Sequence, residues 1–206
     1  MKFTICDEDK VFPYLMIDDF YSKKEQKLIW KELIFHKNNF KVDHKRNGDG
    51  VARDKDGKPL ANATRFYLDD TYRNNRQDSN ILNLYKKIIS LEVKEAYRYT
   101  TPSWRLFEIT NQDCSQVSYY ENEGDYKEHY DKFMHTCLIW FYKEPKRFTG
   151  GDLTFTQSQQ TVECKHNRMI LFPSYYLHAV DEVSMEYKYR GKGLGRYCLT
   201  HFYNKG

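Results

Sequence analysis

The sequence predicts a mainly β fold carried on N-terminal helices, and three observations point to it. Downstream of Pro102 the apolar residues recur with a period of two, in short runs split by Gly, Pro and Asn. Strands of a sandwich or barrel read this way. Upstream of Pro102, two segments repeat their apolar residues at helical spacing instead. Aromatic residues make up 17% of the chain, with eighteen Tyr among them, and rings with a polar tip suit the edges of a β-rich core.

Taken in order, residues 14–17 read as a short strand. Ser22 and Glu25 then have capping-box spacing. They open a helix whose apolar face carries Leu28, Ile29, Trp30, Leu33 and Ile34, wide enough to pack on a sheet. From residue 37 to 63 the pattern collapses into Lys, Asp, Asn and Gly, with Asn-Gly and Asp-Gly turn signals. A loop of that length is either disordered or a functional lid. Asp54 and Asp56 alternate as in a calcium loop, but the later bidentate Glu is missing. Residues 65–70 could form a strand. Ile81, Leu84, Tyr85, Ile88 and Leu91 mark a second helix reaching toward Ala96, and Thr101-Pro102 ends it. The period-two runs that follow are 104–109, 114–120, 126–131, 136–142, 152–156, 161–165, 168–172, 178–180 and 195–203. A chain of 206 residues buries one core and fits a single domain. Residues 1–100 would supply the helices and the lid, and residues 101–206 the β core.

Composition narrows the partners. A net charge of +4 gives no strong electrostatic footprint for nucleic acid. No stretch is apolar enough to span a bilayer and the N-terminus has no apolar signal core. The five Cys are widely spaced with no Cys-x-x-Cys, a pattern of reduced thiols in a cytoplasmic protein. Neither an internal repeat nor a low-complexity tract is present. The oligomeric state is not encoded in any pattern found.

The chemistry centres on Tyr126-Lys127-Glu128-His129-Tyr130-Asp131. In an extended strand His129 and Asp131 point to the same face, one imidazole and one carboxylate converging on a point that suits a transition metal. With seven His and 29 acidic residues, about one His-x-Asp/Glu arises by chance, so the pair needs a third partner. His178 supplies it, following the apolar strand and turn Leu171-Phe172-Pro173-Ser174. Two imidazoles and one carboxylate occupy one face of an iron(II) ion and leave its other positions open.

These residues resemble the iron(II)- and 2-oxoglutarate-dependent dioxygenases of the prolyl 4-hydroxylase-like group. The resemblance rests on Tyr120, His129-Tyr130-Asp131, Gly150-Gly151-Asp152-Leu153-Thr154-Phe155, Leu171-Phe172-Pro173-Ser174, His178-Ala179-Val180 and Arg196. It covers residues 116–203, with an echo of the family's entry strand at Phe12-Pro13-Tyr14-Leu15-Met16-Ile17-Asp18-Asp19-Phe20. It implies a double-stranded β-helix, or jelly-roll, core. It also implies Fe(II), 2-oxoglutarate as cosubstrate and O2, with ascorbate as a candidate reductant. His129, Asp131 and His178 would then be both metal ligands and catalytic residues. Arg196 would grip the far carboxylate of 2-oxoglutarate from a strand whose inward residues are Arg196, Cys198, Thr200 and Phe202. Tyr120, Leu153 and Thr200 would line the cosubstrate pocket.

One departure stands out: residues 181–194 form a long insert between His178 and Arg196. Relatives place the cation nearer the second His, about where Lys188 stands, which leaves Lys188 as a competing anchor and predicts a loop over the active site. The implied activity is hydroxylation of an unactivated C–H bond, first of a prolyl residue in a peptide or protein, alternatively of a free amino acid or other small molecule. Arg190 and Arg196 share the six-residue spacing of nucleic-acid demethylases, but the Gly191-Lys192-Gly193 between them reads as a loop, against that branch. A non-catalytic binding module is disfavoured by the complete ligand set.

Overall fold

The computed structural model describes residues 1–7, 11–42 and 51–206. These residues build two antiparallel sheets. The larger orders its strands β1 (Lys2–Cys6), β2 (Tyr14–Asp18), β11 (Met169–Pro173), β8 (His135–Phe141), β13 (Arg196–Asn204), β6 (Gln112–Tyr120), β5 (Thr64–Tyr67) and β3 (Lys41–Val42). The smaller runs β10 (Gln160–Val162), β9 (Leu153–Phe155), β12 (His178–Val180), β7 (Asp125–His129) and β4 (Ala61–Asn62). This is the expected jelly-roll core.

The larger sheet divides two apolar layers. Cys137, Ile139 and Phe141 of β8 face the helices, while Leu138 and Trp140 face the smaller sheet with Phe155, Ile170 and Phe172. All seven residues of β8 are buried, so its sequence lacks the polar alternation of a strand with one wet face. On the outer side lies α1 (Lys23–Phe35), whose N-cap Ser22 and Glu25 close the capping box. Ile29 and Leu33 sit in the helix-side core. Buried Glu32 of α1 accepts from Ser79 Oγ at 2.7 Å and from the Ile81 N–H at 3.0 Å, satisfying donors at the start of the next helix.

Several elements differ from the sequence reading. The second helix is broken into α3 (Asn80–Leu84), a 3-10 turn at Tyr85–Lys87 and α4 (Leu91–Arg98). Residues 65–70 divide between β5 and the short helix α2 (Leu68–Thr71). Residues 104–109, expected as a strand, instead form α5 (Trp104–Glu108). Phe107 alone on that turn is buried, packed edge-on against Tyr97 of α4 at 5.5 Å, a tertiary contact that local alternation does not show. Of the expected lid, residues 43–50 lie outside the described residues. Residues 51–62 form a hairpin instead of an unpaired loop, and Ala61 and Asn62 join the edge of β7.

Two histidines outside the ligand set are sealed into the helix-side core. His135 stands among the rings of Tyr97 and Phe107, and His201 is hydrogen-bonded to Ser115 Oγ at 2.8 Å. Burial presses their pKa values down to about 4 and about 3, so both are neutral in the fold. Once unfolded they protonate below about pH 6.5. The unfolded chain therefore binds more protons between about pH 4 and 6.5, and stability falls as pH drops through that window. Each contributes about 1.4 kcal/mol per pH unit at full effect. Urea unfolding at pH 7 and pH 5 should differ by roughly 3–4 kcal/mol from these two groups, and His135→Phe should remove about half of that dependence.

Candidate metal centre

His129 closes β7 and His178 opens β12, and the antiparallel register sets them directly opposite each other. Their rings lie 4.3 Å apart. Each Nδ1–H donates to a backbone carbonyl two residues back, His129 to Lys127 and His178 to Tyr176, both at 2.8 Å. That bond assigns the tautomer and leaves each Nε2 lone pair free to face a metal.

Asp131 arrives by a different route from the one expected. It lies beyond the end of β7, so strand alternation is not what aims it. Its N–H donates to the Ser174 carbonyl at 3.0 Å, and Thr136 Oγ1 donates to its Oδ2 at 2.6 Å. Ser174 Oγ in turn bonds Thr136 Oγ1 at 2.8 Å. The carboxylate then stands 3.7 Å from each imidazole Nε2, Oδ1 toward His129 and Oδ2 toward His178. Among the described residues, His129, Asp131 and His178 bring their ligand atoms within 4.8 Å of one another. Burial and the adjacent His178 hold the His129 pKa down to about 2. The contact with Asp131 is therefore between a neutral imidazole and a carboxylate rather than a salt bridge, and neutral imidazole is the ligating form. Donor chemistry, tautomers and spacing fit a divalent iron on one face.

Arg196 is fully buried, facing inward at the start of β13. Among the described residues, none of its three guanidinium nitrogens has a hydrogen-bond partner. Its carbon stands over the Tyr120 ring at 4.7 Å and the Trp140 ring at 5.5 Å. The Cys164 thiol lies beside it but is too weak an acceptor to satisfy it. A buried cation with free donors suits a carboxylate, which takes a guanidinium bidentately. Gly151 adopts φ +75°, and a Cβ there would come within 2.8 Å of Arg196 Cδ. Gly151 thus lets its backbone pass against the arginine, while Gly150 makes the same allowance for the Glu182 backbone.

The cleft between the sheets contains Arg196, Tyr120, Cys198, Thr200, Leu138, His129, Asp131 and His178 on its walls. Leu153 is elsewhere: fully buried in the apolar layer between the sheets, outside the residues that line the cleft. Lys188 is a surface residue, paired with Glu186 at 2.7 Å, and does not enter the cleft. The insert around it packs at the Arg196 end instead of arching over an open mouth. Val183 and Met185 are buried, and Val183 exchanges backbone bonds with Glu123 and Gly124. Arg190 donates to the Met185 carbonyl at 3.0 Å. Sequence reasoning missed Thr136, Arg65 and Tyr126, which also shape the site. Period-two alternation on β5 and β8 places Arg65 and Thr136 on inward faces, but only once those strands are known to flank the ligands. A larger groove of about 820 Å³ opens on the opposite face of the larger sheet, between α1 and Tyr119 and Tyr197. It holds none of the three ligands.

The sequence profile of the 2OG-Fe(II) oxygenase superfamily matches residues 115–204, the span that contains His129, Asp131, His178 and Arg196. Residues 115–204 thus match a 2OG-Fe(II) oxygenase domain, and the three ligands lie within them. Oxygenases of this superfamily use Fe(II), 2-oxoglutarate and O2, and the His129, Asp131 and His178 trio supplies the ligand set for the metal. Its fold resembles a prolyl-4-hydroxylase from Pseudomonas putida, with TM-score 0.63 and 14% identity over 97% of this chain and 96% of that one. A prolyl hydroxylase from Trichoplax adhaerens, solved with a hypoxia inducible factor oxygen degradation domain peptide fragment, gives 0.61 and 12% over 93% and 83%. The viral collagen prolyl hydroxylase of Paramecium Bursaria Chlorella virus-1, in its 2OG complex, gives 0.52 and 15% over 97% and 98%. At these identities the likeness is one of fold. No curated protein matches by sequence.

Two predictions follow from the geometry of this oxygenase. His129→Ala, Asp131→Ala and His178→Ala should each abolish iron-dependent succinate release while circular dichroism stays native; near-wild-type iron affinity in any one would remove it from the ligand set. Arg196→Ala should raise the apparent 2-oxoglutarate constant by roughly two to three decades, since an unpaired buried charge costs about 3–5 kcal/mol. Lys188→Ala should change it little, because the side chain is exposed and already paired.

Proposed function

We propose that this oxygenase hydroxylates a prolyl residue in a peptide or protein. His129, Asp131 and His178 would hold iron, and Arg196 would anchor 2-oxoglutarate. Bound iron and 2-oxoglutarate would supply the oxidising power, with O2 consumed, succinate and carbon dioxide released and a hydroxyl installed on the substrate carbon. The protein's part is placement. Thr136 and the Ser174 backbone hold the Asp131 carboxylate, and the Lys127 and Tyr176 carbonyls hold the imidazoles. Tyr120 and Trp140 keep the Arg196 plane fixed at the closed end. Leu138, Val180 and Cys198 line the cleft between, limiting water where the carboxylate of 2-oxoglutarate would lie.

The observation that carries the prolyl reading is the aromatic character of the cleft's other end. Along β13 the walls run from Arg196 through Cys198 and Thr200 to Phe202. Phe202 stacks on Phe133 at 4.4 Å, and Tyr126 lines the same cleft. Tyr130 and Tyr175, beside the ligand segments in sequence, are exposed. Flat rings suit a proline ring and the extended backbone around it. The fold likeness to prolyl hydroxylases, one of them solved with a peptide, supports the same reading. A second reading, a free amino acid, is favoured by Arg65, a buried guanidinium on the cleft wall that could face a substrate carboxylate. The five free thiols support a reducing compartment.

The test is incubation with ferrous iron and 2-oxoglutarate against proline-containing peptides, their alanine counterparts and free amino acids, followed by mass spectrometry. The expected result is gain of one oxygen atom on the prolyl peptides alone, absent with His129→Ala. Oxygen gained by a free amino acid and by none of the peptides would overturn the reading in favour of the second.

A further inference from the structure

The hairpin beside the cleft is tied to the metal centre through one side chain. Its arms meet at an Arg53–Pro59 bridge and a Leu60 N–H to Ala52 carbonyl bond of 2.9 Å. Asp54 Oδ1 closes the turn by accepting from the N–H groups of Asp56 and Lys58, at 2.9 and 2.8 Å. The second arm adds to the sheet edge, with Ala61 opposite Tyr126 and the Lys127 N–H donating to the Leu60 carbonyl at 2.9 Å. The first arm reaches the Tyr126 side chain, where the Ala52 N–H donates to the phenol oxygen at 2.9 Å.

The ring so held lies flat on the His129 imidazole, centroids 3.6 Å apart and planes 14° from parallel. The Arg65 guanidinium stands over the phenol at 5.1 Å, its Nε donating to Ser118 Oγ at 3.1 Å. One face of the phenol is covered by the imidazole, which leaves the other for the guanidinium. Guanidinium, phenol and imidazole thus form a three-layer stack from β5 across β7 to a ligand. The Nδ1 bond to the Lys127 carbonyl fixes His129 at one atom, about which a ring can still tilt. The flat contact with Tyr126 removes that tilt. Lys127 is shared too, its carbonyl holding the imidazole and its N–H holding the hairpin.

We propose that Tyr126 is a positioning residue for His129 and makes the geometry of the metal centre depend on docking of the 51–62 hairpin. The inference rests on His129 being a metal ligand. A docked hairpin holds the phenol, and the phenol holds the imidazole in its ligating plane. An undocked hairpin releases both.

Cobalt(II) binding to the full chain tests this without turnover, read as affinity and as the ligand-field absorption of the bound ion. Tyr126→Leu deletes the stack, Tyr126→Phe deletes only the oxygen, and Ala52→Pro deletes the N–H that the oxygen accepts. Tyr126→Leu should weaken cobalt binding by about 10–100-fold, the usual effect of losing a group that orients a ligand, and should shift the absorption. Tyr126→Phe and Ala52→Pro should each give a smaller loss, and together no more than either alone, because both break the same bond. Wild-type affinity and spectrum in Tyr126→Leu would overturn the proposal, as would additive losses in the double variant. If Tyr126→Leu does not fold, the other two variants decide by the same criterion. A wild-type chain that binds no cobalt overturns the ligand assignment and this inference with it, whereas binding that is lost in His129→Ala but unmoved in the Tyr126 variants overturns the inference alone.

Discussion

The antiparallel pairing of β7 with β12 sets His129 opposite His178, and the remaining parts of the centre are arranged around that register. A slip of one residue between the two strands would turn one imidazole to the opposite face from the other. The third ligand is held by a different sheet: Asp131 leans on Ser174, just past β11, and on Thr136 of β8. The centre is therefore a joint between two layers, and it is complete only when they are packed. The apolar layer between them, with Leu138, Trp140, Phe155 and Phe172, fixes the ligand spacing as well as the fold.

The charges in the cleft are separated along its length. Asp131 brings the negative charge to the ligand end, while Arg196 holds a positive one at the closed end on a bed of aromatic faces. Ring faces ease the burial of a guanidinium without using its donors. The N–H groups remain directed at whatever anion enters, which is how a binding site keeps affinity for its ligand when the ligand is away. The cost of that arrangement falls on the surroundings, where glycine rather than any larger residue borders the arginine.

Much of this was legible in the residues. The capping box before α1, the strand boundaries around β8, β12 and β13 and the ligand trio follow from local periodicity and residue chemistry, and the role of Arg196 came from the family resemblance. What was not legible depends on contacts between distant segments. Residues 104–108 alternate like a strand and became a helix because Phe107 packs on Tyr97. Asp131 keeps the expected partner but lies off the strand, since Ser174, more than forty positions on, supplies its backbone acceptor. Ala61 and Asn62 form a strand too short to have a period, and Arg65 and Tyr126 meet only because β5 and β7 face one another across the cleft.

The insert after β12 has a consequence for which diacids the enzyme accepts. Val183, a buried residue of the insert, packs near Gly151, which in turn borders Arg196, so the arginine side chain is backed by the loop on one side and by β13 on the other. On the reading proposed above, the distance from the anchor to the ligand trio is then fixed by the protein's framework instead of adjusting to the guest. On that reading the cleft would measure its cosubstrate by length: a keto diacid with one carbon fewer would meet the ligand trio or Arg196, not both at once.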